Sequence, residues 1–266
     1  RKEICMTKVS DVYKYIDSFA PFRTQDSWDN SGLLAGDENA QVHKALVALD
    51  AENRIIDEAH REGCELLITH HPVIFHPLKT VCFDDPAGRL VRYGMSCICA
   101  HTNLDSAQYG ISDMMLYRLG FKNCHELVQI NRRDSLSDRA VGYGAIGECS
   151  EMTPEELAKL CAERFRCVAI KYVAGKRNIK RVGVISGAGG DGIFDAKRLG
   201  LDAYITAEVK HHEFLEAERI GVTLIDAGHY ETEIIAAEYL KQKLEKEFSD
   251  VSFVTSGEGT TIKTVK

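Results

Sequence analysis

The sequence contains no apolar run long enough to cross a membrane. A transmembrane helix needs roughly 18 or more consecutive apolar residues, and no hydrophobic segment of the 266 residues approaches that length. The segment before Asp17 also lacks the apolar core of a signal peptide. We therefore expect a cytoplasmic protein with no membrane partner.

Closely paired cysteines are also missing. The nine cysteines are an odd number, and none forms a C-x-x-C pair. A chain of this length can bury a core without disulfides. Cys97 and Cys99 alternate with apolar residues, so we expect both on one face of a buried strand as reduced thiols.

A dense run of lysine or arginine is the third absence. The 40 acidic residues outnumber the 33 basic ones and give a formal net charge of -7. Nucleic-acid binding draws much of its affinity from basic side chains, so this balance disfavours nucleic acid as a partner, including a ring that encloses it. The hydrophobic share of 44% is that of an ordinary globular domain.

Strand and helix patterns alternate along the chain. Apolar residues recur at helical spacing near the start, and short apolar runs such as 45–50 and 64–69 have the pattern of buried strands. This alternation predicts an α/β fold with mixed, mostly parallel sheets flanked by helices. The patterns further predict a loop at 27–37, one glycine-rich strand at 140–148, a strand at 167–173 and one long helix at 230–248.

The charged stretch at 122–135 interrupts this alternation. It predicts two α/β lobes, at residues 6–127 and 128–266. The helix near the C-terminus is long enough to pack back on the first lobe.

Three segments rich in histidine and carboxylate side chains each follow a predicted strand. They are THHP at 69–72, AHTNLD at 100–105 and GHYETE at 228–233. Ligands bind at the carboxyl ends of strands in open α/β sheets. A lone histidine at the end of a strand is more often structural. Three segments of this kind, each at the carboxyl end of a strand, favour a metal site.

The spacing within these segments predicts a dinuclear centre. His229 and Glu233 are four residues apart at a helix start, so they share one helix face and can hold one ion. His70 and His71 are adjacent, and their diverging side chains suit one nitrogen on each of two ions. Asp105 has two carboxylate oxygens with which to bridge the ions.

Imidazole and carboxylate ligands favour Zn, Fe, Mn, Co or Ni over Cu(I) or Ca. Two divalent ions carry four positive charges, and the carboxylates of Asp105 and Glu233 neutralise only two of them. This imbalance favours a bridging hydroxide and a small anionic substrate such as a phosphate.

Several nearby motifs have more than one interpretation. His101 is a contact of the metal ligands, a proton shuttle or a core histidine. His211 and His212 are a polar helix start or part of the function, and Trp28-Asp29-Asn30 is either a loop that closes over the site or simple turn chemistry.

The run from Gly187 to Gly192 matches G-x-G-x-x-G after a strand, and Glu208 follows the next strand. This pattern is typical of dinucleotide binding. However, it lies deep in the second half and precedes a short helix. A glycine turn that lets the backbone approach a ligand, or one that is simply tight, explains it as well.

Five segments together resemble the Nif-three-like family, whose members are often named GTP cyclohydrolase I type 2 homologues or dinuclear metal centre hexameric proteins. The segments are WDNSGLLAGD, ITHHPVIFHPLK, AHTNLDSA, GLDAYITAEVKHH and GHYETE. The likeness runs from about Met6 to the C-terminus and fits the short form of the family. It implies two α/β lobes with a dinuclear metal site between them, and a homohexamer built as a trimer of dimers.

The resemblance also implies roles for individual residues. His101 would lie beside the metals, and Ala207 stands where glycine is expected in the family motif. The implied metal ligands are the same as those that the spacing predicts: His70, His71, Asp105, His229 and Glu233.

Two functions follow as hypotheses. The first is a metal-dependent hydrolase that acts on a nucleotide or another phosphate-bearing substrate, with His101 as the catalytic proton-transfer group. The alternative is a non-catalytic metal carrier or a regulatory adaptor.

Overall fold

The computed structural model describes residues 6–263, which form two compact units. The first unit contains residues 6–107 and 236–263, and the second contains residues 108–235. The first unit ends at Ala107, whereas the boundary was predicted at 127/128. The difference arises because the helix at Ile111–Leu119 buries its apolar residues in the core of the second unit.

The bounds of the elements are as follows. The strands are β1 (Gly32–Ala35), β2 (Lys44–Ala48), β3 (Leu66–Thr69), β4 (Ser96–Cys99), β5 (Lys122–Asn123), β6 (Gln129–Arg133), β7 (Ala140–Tyr143), β8 (Ala145–Met152), β9 (Lys171–Val173), β10 (Ile179–Ala188), β11 (Ala203–Ala207), β12 (Thr223–Asp226) and β13 (Ser252–Thr255). The helices are α1 (Val9–Phe19), α2 (Asn53–Arg61), α3 (Pro86–Tyr93), α4 (Thr102–Asp105), α5 (Ile111–Leu119), α6 (Pro154–Phe165), α7 (Ile193–Arg198), α8 (His211–Ile220), α9 (His229–Glu233) and α10 (Ile235–Glu247).

The first unit is built on a five-stranded sheet in the order β1-β4-β3-β2-β13. All pairs are parallel except β1 with β4. The central strands are buried along their whole length, as is typical of parallel strands covered on both faces. On one face, Leu46 and Leu67 pack against Ile56 of α2 and Leu90 of α3.

The C-terminal segment belongs to this first unit. Strand β13 pairs with β2 in parallel, and Phe19 of α1 meets Tyr239 of α10 edge to face at 6.0 Å between ring centroids. The last strand therefore completes the sheet that the first half of the chain begins.

The second unit contains a six-stranded mixed sheet in the order β5-β8-β10-β11-β12-β9. Strands β10, β11 and β12 are parallel, and the outer pairs are antiparallel. Alternate residues of β11 face two separate cores. Ile205 joins the core covered by α5 and α6, whereas Tyr204 joins the core covered by α7 and α8. Both units are therefore mixed sheets flanked by helices, which confirms the predicted fold class.

Gly144 divides the strand that the sequence predicts at 140–148. Its φ is +82°, and a Cβ at this position would lie 2.6 Å from the carbonyl oxygen of Val184. Strand β7 consequently leaves the large sheet and pairs with β6 in a separate hairpin, while β8 continues in the sheet.

Three other local predictions are corrected. The loop predicted at 27–37 contains β1, which pairs with the edge of β4. The strand predicted at 167–173 is limited to β9, because its partner β12 has only four residues. The helix predicted at 230–248 is interrupted at Ile234, after Thr232 donates its hydroxyl to the backbone carbonyls of Gly228 and His229, a bond that bends helices.

The cysteines from Cys64 to Cys167 form no disulfides, and Cys5 lies outside the described residues. Cys97 and Cys99 are fully buried in β4, as predicted, and burial raises the pKa of Cys97 to about 12. Among residues 6–263, no helix is both long enough and apolar enough to span a membrane.

We predict that Gly144→Ala destabilises the protein by about 2–5 kcal/mol, because alanine must adopt a left-handed backbone and its Cβ collides with β10. Gly200→Ala is the matched control, since Gly200 has a similar φ of +68° but open space around its Cβ position. The control should cost only about 1 kcal/mol. Equal shifts of the urea midpoint would show that the collision with β10 contributes nothing.

Candidate metal-binding site

In the first unit, the parallel strands β2, β3 and β4 deliver polar side chains to one edge of the sheet. Asp50 follows β2, His70 and His71 follow β3, and His101 follows β4. The carboxyl ends of parallel strands lie side by side, so these groups converge although they are far apart in sequence.

His70 is fully buried, and its ring is held by the backbone of β4. Its Nδ1 lies 2.8 Å from the carbonyl oxygen of Ala100, to which it donates. Its Nε2 lies 3.7 Å from Oδ1 of Asp105, which stands at the end of the one-turn helix α4. The Ala100 bond fixes the tautomer that presents the Nε2 lone pair on the side of Asp105.

His71 has a carboxylate as the corresponding partner. Its Nδ1 lies 2.7 Å from Oδ1 of Asp50, and the ring is about one quarter exposed. With Nδ1 donating to Asp50, Nε2 is again the nitrogen with the lone pair.

His101 is oriented by a buried aspartate. Its Nδ1 lies 2.7 Å from Oδ1 of Asp29, whose side chain is fully buried. Asp29 also accepts hydrogen bonds from the Thr102 hydroxyl at 2.5 Å, the Thr102 N–H at 3.1 Å and the Ser31 hydroxyl at 2.8 Å. Burial acts to raise the pKa of Asp29, but the bonds from His101, Thr102 and Ser31 outweigh it and hold the pKa well below its usual range.

The three histidines of this edge form one cluster. Their ring centroids are 5.1 Å apart for His70 and His71, 5.1 Å for His70 and His101, and 5.5 Å for His71 and His101. One nitrogen from each ring lies within 4.8 Å of the other two. Such spacing suits a group of imidazoles around a cation.

The second unit repeats this design at the edge formed by β10, β11 and β12. His229 opens α9 after β12, and its Nδ1 lies 2.8 Å from Oε1 of Glu208, which follows β11. Its Nε2 lies 2.7 Å from Oε2 of Glu233, one helical turn away and buried. The His229 ring therefore lies between two carboxylates, one at each ring nitrogen.

Glu208 adopts the left-handed conformation, with φ of +53°. Ala207, at which the resemblance led us to expect glycine, is a buried residue of β11. The unusual backbone therefore falls on the residue whose carboxylate holds His229. Non-glycine residues adopt this conformation at a cost, and such residues cluster at functional sites.

The glycine-rich run of the second unit serves close packing. A Cβ on Gly187, whose φ is +61°, would lie 2.0 Å from Oε1 of Glu233. A Cβ on Gly192 would lie 2.4 Å from the hydroxyl of Tyr204, which donates to the carbonyl of Gly189. The run thus lets the loop approach Tyr204 and Glu233, which accounts for its glycines without a dinucleotide.

The four histidines at these two sheet edges share one hydrogen-bonding pattern. In each ring, Nδ1 is engaged by a carbonyl or carboxylate oxygen: Ala100 for His70, Asp50 for His71, Asp29 for His101 and Glu208 for His229. Histidines that ligate metals in proteins usually donate their other N–H to such an acceptor. The donor set therefore fits divalent transition-metal ions.

The structure brings the predicted residues together within each unit. His70, His71 and Asp105 lie in the first unit with His101, and His229 lies beside Glu233 in the second. His211 and His212 are exposed at the start of α8.

Three carboxylates that orient the histidines were not predicted as site residues: Asp29, Asp50 and Glu208. Asp50 follows β2, which pairs with β3, and Glu208 follows β11, which pairs with β12. A carboxylate directly after a strand that neighbours a strand followed by histidine is the signal that could have identified both residues.

The fold and the clustered ligand groups define a mixed α/β protein with candidate metal-binding groups at its sheet edges. The sequence matches the family described as Duf34/NIF3 (NGG1p interacting factor 3) over residues 7–261. A Clostridium perfringens protein named GTP cyclohydrolase 1 type 2 homolog is 33% identical over 262 residues, covering 94% of this chain and 97% of that protein. A Campylobacter jejuni protein of the same name is 30% identical over 253 residues, covering 92% and 93%.

A solved structure supports the same relationship. A hypothetical protein of Staphylococcus aureus superimposes with a TM-score of 0.89 at 27% identity, covering 98% of this chain and 100% of that chain. The chain belongs to the Duf34/NIF3 family. This confirms the resemblance inferred from the motifs.

We predict that Asp29→Asn lowers the free energy of unfolding by about 2–3 kcal/mol at pH 7, because buried donors lose a charged acceptor. The pKa of Asp29 is lower in the folded than in the unfolded chain, so its contribution is complete above about pH 4 and declines as the pH falls towards the folded-state value. The difference from the parent in urea denaturation should therefore be smaller at pH 3 than at pH 7. Asp84→Asn, at a side chain that is 91% exposed, is the control. A difference that is independent of pH would contradict the assignment.

Proposed function

We propose that this chain binds two divalent transition-metal ions and uses them to hydrolyse a phosphate-bearing substrate. The proposed ligands are those named from the sequence: His70, His71, Asp105, His229 and Glu233. In this proposal, these five ligands make up the dinuclear centre predicted from the sequence.

The observation that carries the proposal is the shared orientation of the histidine rings. His70, His71 and His229 each have Nδ1 held by an oxygen acceptor, as is usual for histidines that ligate metals. Each such bond directs the remaining nitrogen to act as a ligand and raises its basicity. The nearby carboxylates of Asp105 and Glu233 supply the anionic ligands.

The ligand chemistry limits the choice of metal. The proposed set contains imidazole and carboxylate but no thiolate, which fits Zn, Fe, Mn, Co or Ni. Bound ions would supply positive charge for an anionic substrate and acidify a water molecule for attack on it.

His101 is the proposed proton-transfer residue. Its ring lies beside those of His70 and His71, and Asp29 fixes its orientation through Nδ1. The free lone pair of Nε2 can accept a proton from water and return it to a leaving group. The buried negative charge of Asp29 stabilises the protonated ring during that transfer.

The names of the relatives favour a nucleotide as the substrate. The Clostridium perfringens and Campylobacter jejuni proteins are both called GTP cyclohydrolase 1 type 2 homologs. We therefore propose GTP as the first substrate to test, followed by other nucleotides and phosphoesters. A cytoplasmic homohexamer remains the expected assembly, to be measured by sedimentation.

We predict about two transition-metal ions per chain in protein purified without chelator. Asp105→Ala and His229→Ala should each lower that content, because each removes a ligand from a different unit. Elemental analysis by mass spectrometry measures the effect. The matched control is His43→Ala, an exposed histidine just before β2 at the opposite end of the strand. A parent protein that carries no metal even after reconstitution would contradict the proposal.

We predict that His101→Gln lowers kcat for the metal-dependent reaction by about 100- to 10,000-fold. Metal content should stay at the parent level, since His101 transfers protons in this proposal and does not hold the ions. Steady-state kinetics on the metal-loaded enzyme, with elemental analysis alongside, measures both quantities. An unchanged kcat would remove His101 from the reaction.

The alternative function is a metal carrier or a regulatory adaptor. It predicts exchangeable metal and no turnover across nucleotides and phosphoesters. That result in fully metal-loaded protein would replace the hydrolase proposal while leaving the metal site in place.

A further inference from the structure

Two exposed aromatic side chains stand next to His101 in the first unit. Trp28 is 56% exposed and Phe75 is 42% exposed. Their ring centroids lie 5.9 Å apart with an angle of 42° between the planes, and they lie 6.1 Å and 6.4 Å from the His101 ring. Trp28 and Phe75 thus form an open aromatic wedge beside the histidine cluster.

The exposure of this wedge does not come from a loosely attached loop. The residue after Trp28 is Asp29, which is buried and accepts four hydrogen bonds. The next residue, Asn30, donates from Nδ2 to the carbonyl of Ile74 at 2.6 Å, so the loops that carry Trp28 and Phe75 are tied together. The backbone is fixed on both sides while the two rings are left partly open to solvent.

Two adjacent rings that are held in place and partly exposed offer an apolar surface on which a flat ligand can be buried. The spacing of the two rings is too short for a third ring to enter between them, so an occupant must stack on the outer face of one ring and touch the other at its edge. A planar heterocycle fits this geometry, because every nucleobase has a face that stacks on aromatic side chains.

We infer that Trp28 and Phe75 bind the base of a nucleotide whose phosphates lie at the histidine cluster. This inference rests on the proposed function and adds the part of the substrate that it leaves open. The wedge is adjacent to His101. The proposed metal ions are cationic, so one molecule with a flat ring and an anionic group would contact both the wedge and the ions.

Trp28 is the only tryptophan of the chain, so its fluorescence reports directly on this wedge. We would titrate metal-loaded protein with GTP, ATP and CTP, and with inorganic tripolyphosphate, which has the charge but no base. Excitation at the red edge of the indole band and correction for absorbance by the nucleotides keep the signal specific. The expected result is saturable quenching by at least one nucleotide, none by tripolyphosphate, and tighter calorimetric binding of that nucleotide than of tripolyphosphate.

A variant series separates stacking from charge. Phe75→Ala should weaken binding of the nucleotide about tenfold and leave tripolyphosphate binding unchanged, because stacking contributes about a factor of ten per base. Phe75→Tyr should retain nucleotide binding. Phe83→Ala, at a phenylalanine that is 72% exposed, is the matched control and should have no effect.

The outcomes distinguish this inference from the proposed function. Tripolyphosphate that binds as tightly as all three nucleotides would overturn the base-binding role and leave the anion-binding metal site standing. Failure of every anion to bind metal-loaded protein would overturn both. A Trp28 emission typical of buried indole, with protection from acrylamide, would show that another chain covers the wedge, and would also overturn the inference.

Discussion

Parallel pairing of neighbouring strands is the constraint on which the arrangement of polar groups in each unit depends. Since β2, β3 and β4 run in the same direction, the residues that follow them emerge at one edge, and the same holds for β10, β11 and β12. This geometry brings His71 to the carboxylate of Asp50 and His229 to that of Glu208. A reversed strand would send its terminal group to the opposite edge of the sheet.

Some of the groups at these edges occupy environments that are unfavourable unless neighbouring residues hold them there. Asp29 is a buried carboxylate that remains charged because His101, Thr102 and Ser31 donate to it. Glu208 occupies a backbone conformation that disfavours side chains. Features of this kind persist where the surrounding structure holds them and where they orient reactive groups. Here each of them fixes the ring of a histidine, which is the element that the proposed chemistry uses.

The sequence predicts most of the fold, since buried strands and amphipathic helices have distinct periods. The end of α5 at Gly120, which adopts the left-handed conformation, agrees with a local capping signal. The edge strand β1 and the break at Gly144 could not be predicted in this way, because both depend on contacts with distant strands. The histidines were predictable from their positions after strands, whereas Asp50 and Glu208 became recognisable only when the neighbouring strands were known.

X-ray absorption spectroscopy of the metal-loaded protein tests the dinuclear centre most directly, because it measures the neighbours of each ion. A dinuclear site held by histidine and carboxylate predicts nitrogen and oxygen ligands at about 2.0–2.2 Å and a second metal at about 3.5–4 Å. A spectrum without a metal neighbour, or with sulfur ligands at about 2.3 Å, would contradict the proposed centre.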